Sequence, residues 1–150
     1  MLNKLKNLLI ENDSSESINN ERALELASAA LMIEVARSDF DLNNEEFLLI
    51  QSLLAQEFAL APEELKSLTD SALDKTENAT CLFEFTKVIN QHAASNQKLK
   101  IIIMLWEIAL SDSKLCKYEE ALIRKLSDLL YVPHSEFIRA RQLTSEAKNV

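Results

Sequence analysis

Four carboxylates recur at one spacing in this chain. Asp39 and Glu46 stand seven positions apart, and Asp112 and Glu119 repeat that interval 73 residues later. Each aspartate falls where one run of helical apolar spacing stops, and each glutamate falls in the first turn of the next. A loop of that length can bring the two side chains together, and converging carboxylate oxygens suit a hard divalent cation such as Ca2+ or Mg2+. The same residue types also serve without a metal. The aspartates can accept hydrogen bonds from loop amides, and the glutamates can cap a helix whose positive end favours them. Both readings stand on the sequence. The EF-hand, a specific rival, fails in both loops. Asp39, Asp41 and Asn43 fit its first three ligand positions, but Asn44 replaces the turn glycine and Ile50 the bidentate glutamate, while Lys114 and Cys116 occupy ligand positions in the second loop.

Glu34 and Glu107 are a second pair. Each interrupts an almost continuous apolar stretch, Ala-Leu-Met-Ile-Glu34-Val-Ala and Met-Leu-Trp-Glu107-Ile-Ala. An unpartnered carboxylate there would cost several kcal/mol to bury, so each is expected to have a partner. Each precedes its motif aspartate by five positions, about 500° of rotation, which leaves the two side chains about 140° apart on a regular helix. Glutamate and aspartate of one motif therefore cannot share one ion, and Glu34 and Glu107 are expected to act structurally.

These residues belong to an internal repeat. Glu34 to Ile50 and Glu107 to Ile123 both read E-[apolar]-A-x-S-D-x-x-L-x-x-x-E-x-x-x-I, without a gap. Leu53 then matches Leu126, and Phe58 matches Tyr131. Chance does not produce so many aligned matches. The chain reads as two helix-loop-helix copies, over about residues 21–60 and 96–133, joined by the region from Pro62 to Gln97. Copies of one unit are expected to be related by an approximate two-fold axis, with the Asp39 and Asp112 loops on one side of the domain.

The elements around the motifs are helical. Leu24, Ala27, Leu31 and Val35 repeat at helical spacing, and the run Ala29 to Ala36 is apolar almost all round, which marks a central helix. Asn43 with Glu46 three residues on is a capping-box-like start for a helix carrying Phe47, Ile50, Leu54 and Phe58. Pro62 opens a third helix, with Leu65, Leu68 and Leu73 inward. Further helices are expected over Thr80 to His92, Asn96 to Leu110, Lys117 to Leu130 and Ser135 to Ala147. An amphipathic N-terminal helix and a polar linker are expected over about residues 1–20. No segment alternates with period two, so the fold class is all-α: a single domain, residues 1–150, of seven to eight helices.

Composition narrows the function. The 150 residues include no glycine and two prolines, so phosphate-cradling loops, dinucleotide fingerprints and β-sandwiches are disfavoured together. Sixteen Lys and Arg against 24 Asp and Glu give a net charge of −8, a field that repels nucleic acid. The longest apolar run, from Ile101, is far short of the roughly 20 residues that cross a bilayer, and the N-terminus lacks the pattern of a signal peptide. Cys81 and Cys116 read as free thiols of a reducing compartment, so a cytoplasmic location is expected. Only His92 and His134 could serve as imidazole bases, and no hydrolase, zincin or deaminase spacing links them to a nucleophile. No catalysis is expected. Both histidines read as helix-end residues and Trp106 as core.

The paired motif resembles a known family. Glu34-Val-Ala-x-x-Asp39 with Leu42 and Glu46, and Leu105-Trp106-Glu107-Ile-Ala-x-x-Asp112 with Glu119-Glu120 and Leu122-Ile123-Arg124, look like the TerB-like tellurite-resistance family, which has relatives in the N-terminal domain of a membrane-anchored DnaJ-type co-chaperone. The resemblance spans about Glu21 to Arg141. It implies an all-helical domain working in bacterial stress response or tellurite resistance, with a protein partner at the membrane surface. It also implies acidic residues, here Asp39, Glu46, Asp112 and Glu119, that hold a divalent metal. Phe40 and Ser113 stand where the family commonly has glycine. The alternative function is a metal-free helical scaffold for protein–protein interaction.

Overall fold

The computed structural model describes residues 2–38, 42–78, 82–111 and 116–148, with side chains from residue 18 onward. Asp39 and Asp112 lie outside the described residues. The central helix follows from its composition: from Leu24 to Ala36 α1 (Leu2–Arg37) turns alanines, Leu31, Met32, Ile33 and Val35 inward, all with 5% exposure or less. Its partner is the other apolar run, α5 (Ser95–Ala109), where Ile101, Ile102, Leu105 and Trp106 are buried. The α1–α5 pair forms the middle of the core.

Five more helices complete the described chain: α2 (Asn44–Phe58), α3 (Pro62–Glu77), α4 (Leu82–His92), α6 (Lys117–Leu129) and α7 (His134–Lys148). The architecture is all-helical and forms one domain, as the periodicity implies. One boundary differs. The polar stretch expected as a linker, within residues 12–20, is part of α1, which runs unbroken for 36 residues. The stretch contains neither glycine nor proline, and polar side chains cost a helix only tenths of a kcal/mol each, so polarity alone does not stop it.

The internal repeat is larger than a helix-loop-helix. α1 packs most extensively on α3 and α5 on α7, α1 also meets α2 and α5 meets α6, and the copies cross reciprocally, α1 with α6 and α2 with α5. That reciprocity is what a two-fold relation between three-helix copies requires. α4 is the unmatched connector, packed mainly on α1, with Asn90 Nδ2 donating to the Leu129 carbonyl at 2.9 Å. The register also shifts. A left-handed residue follows each second helix, Ala59 (φ 51°) as the cap of α2 and Tyr131 (φ 58°) one residue past the Leu130 cap of α6, and after each a backbone bond reaches back five residues, Leu60 N to Ala55 O and Val132 N to Ser127 O. The matching residue of Tyr131 is therefore Ala59, not Phe58, an offset of 72. The third helices keep that offset, with Leu65 N bonding Ala61 O and Phe137 N bonding Pro133 O.

Within α3 the buried residues are Thr69, Ala72 and Thr76, while the expected inward leucines Leu65, Leu68 and Leu73 are half-buried at the flanks. Small side chains let α3 lie close on α1. The threonine hydroxyls are satisfied locally, Thr69 donating to Leu65 O at 3.0 Å and Thr76 to Leu73 O at 2.9 Å. Trp106 is fully buried, its ring 5.3 Å from Phe137 with the Arg141 guanidinium 5.6 Å above it. Among the described residues no helix is long and apolar enough to cross a membrane.

Candidate functional site

The two repeat loops leave their helices in the same way. Ser38 Oγ donates to Val35 O at 2.7 Å, and Ser111 Oγ donates to Ile108 O at 2.8 Å, the same bond 73 residues on. Each serine caps the closing turn of a core helix immediately before its motif aspartate. Both lie in the repeat motif, so the signal was in the sequence although the serines carried no assigned role.

On the far side of each loop the copies differ. α2 begins at the Asn43 cap, whose Oδ1 accepts from Glu46 N at 2.8 Å and whose Nδ2 donates to Glu46 Oε1 at 3.3 Å. The forward half of the expected capping box is present, with asparagine in the role of serine or threonine, but Glu46 reaches back to the Asn43 side-chain amide instead of its backbone N–H. α6 begins at Cys116, which makes no side-chain cap. Its third residue, Glu119, occupies the place of Glu46 but is buried, at 5% exposure. The neighbouring Glu120 is taken by two arginines, Arg141 Nη1 at 3.0 Å and Arg124 Nη2 at 3.7 Å.

The described flanks of the two loops meet. Asn43, Glu45 and Glu46 at the start of α2 line one small groove, of about 200 Å³, with Ser111 at the end of α5. First-copy carboxylates thus face the segment that leads into Asp112. Among the described residues alone, no group of three or more His, Cys, Asp or Glu could hold a metal ion. The expected ligands Asp39 and Asp112 fall outside those residues, so of the four only Glu46 and Glu119 are placed.

Glu34 and Glu107 are half-buried, not sealed in the core. An apolar neighbourhood in sequence does not bury a helical position on all sides, because each helix keeps one edge at the surface. Burial still pushes the Glu34 carboxyl above its ordinary value, with Arg37 pulling it partly back. Glu107 opens onto a groove between α2 and α5 beside Lys100, which meets Glu57 at 3.8 Å. The buried partner expected for each is not required.

The histidines sit where expected: His92 is the last residue of α4, and His134 is the first of α7, stacked 5.7 Å from Phe137. Cys116 is a free thiol; Cys81 lies outside the described residues. Sequence reasoning missed Glu25, a buried carboxylate on α1 that no motif marks.

Comparison with known proteins follows the same outline. The family model described as tellurite resistance protein TerB matches residues 25–142, from the apolar half of α1 into α7. No curated protein and no solved structure gives a match. With both copies of the acidic motif and six of the seven helices wholly or largely inside the matched span, the chain belongs to the TerB family of tellurite resistance proteins.

Proposed function

We propose that this domain is a non-enzymatic, cytoplasmic divalent-cation module in which the two repeat loops jointly hold one Ca2+ or Mg2+, presented to a protein partner in a tellurite-resistance or stress-response assembly. The observation that carries this reading is the shared groove: Asn43, Glu45 and Glu46 of the first copy line it together with Ser111 of the second. The proposed ligands are Asp39 and Glu46 of the first copy with Asp112 and Glu119 of the second. Hard cations take six or more oxygens, so waters and loop carbonyls complete the shell. Glu34 and Glu107 stay structural. Calorimetric titration of chelator-treated protein with Ca2+, Mg2+ and Zn2+ tests the reading, beside the Asp39→Asn, Asp112→Asn double variant. Heat that the double variant loses supports it, and silence with all three ions removes it.

A second reading has an observation of its own. Glu46 is engaged by the Asn43 cap, and Glu120 is engaged by Arg124 and Arg141, so part of the acidic set already serves the fold. A metal-free scaffold for a protein partner follows if no ion binds.

A further inference from the structure

We propose that the open groove between α1 and α3, away from the repeat loops, binds a lysine or arginine side chain presented by an extended basic segment of a protein partner, with Glu25 as its buried anchor. The groove has a volume of about 390 Å³, and its walls include Arg22, Glu25, Leu26, Glu64, Ser67 and Leu68. Glu25 is only 8% exposed, yet it makes no hydrogen bond or ion pair among the described residues. The stem is buried while the carboxylate opens into the groove, so a cationic head entering the groove meets an acceptor that no side chain among the described residues already holds. Burial raises the Glu25 carboxyl, Glu21 and Glu64 raise it further, and Arg22 only partly offsets them.

The shared architecture does not demand this carboxylate. In the second copy Lys98 stands at the position of Glu25, by the offset of 73, and Arg139 at that of Ser67, by the offset of 72. Lys98 has its own partner there, its Nζ 5.8 Å from the Tyr131 ring. Glu136 keeps the position of Glu64, by the offset of 72, so it is the carboxylate at Glu25 that belongs to the first copy alone.

The chemistry of the walls selects the ligand. No group of three carboxylates converges there as a metal needs, among the described residues. Leu26 and Leu68 instead offer apolar surface to an aliphatic stem whose charged head reaches Glu25 and Glu64. Arg22 opposes a ligand that carries positive charge along its whole length, such as a free polyamine. It can donate to a backbone carbonyl, as can the Ser67 hydroxyl, which fits a peptide.

The test uses the whole chain and a blocked, unstructured heptapeptide with two arginines in an alanine–serine background. Its counterpart with glutamines for arginines, and spermidine, are the comparison ligands. Binding is followed by calorimetry in wild type, Glu25→Gln and Glu64→Lys, with circular dichroism checking each fold. Glu64 is exposed, so that variant keeps the test decisive if Glu25→Gln unfolds. The expected result is one saturable site for the arginine peptide, weakened tenfold or more by either substitution and by added salt, with no binding of the glutamine peptide. Four results overturn the proposal: no binding of the arginine peptide, equal binding by the variants, spermidine binding as tightly as the peptide, or a wild-type dimer in sedimentation that Glu64→Lys dissolves. A failed cation titration at the repeat loops leaves this groove untouched, and the reverse also holds.

Discussion

The first copy, α1 to α3, and the second, α5 to α7, keep the same backbone events and differ in the side chains hung on them. Both close the core helix with a serine hydroxyl bonded three residues back, both place a glutamate at the third position of the next helix, and both follow that helix with a left-handed residue. Yet the first copy caps α2 with Asn43 and leaves Glu46 at the groove, whereas the second starts α6 at an uncapping Cys116 and buries Glu119. The shared features are those on which the backbone path depends. Those that diverged, caps and surface charge, contribute about a kcal/mol or less each and can be exchanged without changing the fold.

The strongest challenge to this equivalence lies in the core. Ile50 and Ile123 are matched by the repeat and both fully buried. Ile50→Ala and Ile123→Ala should each cost about 2–5 kcal/mol, within about 1 kcal/mol of each other, by urea denaturation. A large gap between them would mean that the copies are equivalent in path but not in packing. A smaller effect separates the caps. Asn43→Ala should cost about 1 kcal/mol through the lost bond to Glu46 N, whereas Cys116→Ala should stay within about 0.5 kcal/mol of wild type, both read as shifts in melting temperature.

Smaller still is the effect at Glu107. Because it is half-buried beside a groove, Glu107→Gln and Glu107→Ala should differ by less than about 1 kcal/mol in chemical denaturation. A loss of several kcal/mol confined to the alanine variant would restore the buried-partner reading. Glu34 carries a pH signature. Its carboxyl is raised above 4.5 by burial, so the native state holds that proton more tightly than the unfolded chain does. The stability this contributes is fully present below pH 4.5 and is lost as pH rises through the raised value. Glu34→Gln should therefore gain on wild type as pH goes from 4.5 to 7, and a melting-temperature difference that is flat across that range would count against it.

Much of this was legible because helical periodicity and glycine scarcity are strong signals. The central α1, the Asn43–Glu46 cap, the buried Trp106 and the repeat itself all follow from residue spacing. What was not legible has physical causes. α1 ran through its polar stretch because nothing in it breaks a helix. α3 buries threonines because close helix contact favours small side chains, which hydropathy reads as surface. The third helices diverged so far, Leu65 against Phe137 and Ala72 against Thr144, that only their placement reveals them as copies. Glu25 escaped notice because an isolated charge beside leucines looks like any solvated helix face.

The proposed cation site joins two loops, one from each copy. Calorimetry on the single variants Asp39→Asn and Asp112→Asn tests it most directly. One Ca2+ or Mg2+ per chain, with at least a tenfold loss of affinity in either single variant, is the predicted result. Two ions per chain, with each variant losing only its own, or binding that survives both substitutions, would contradict it.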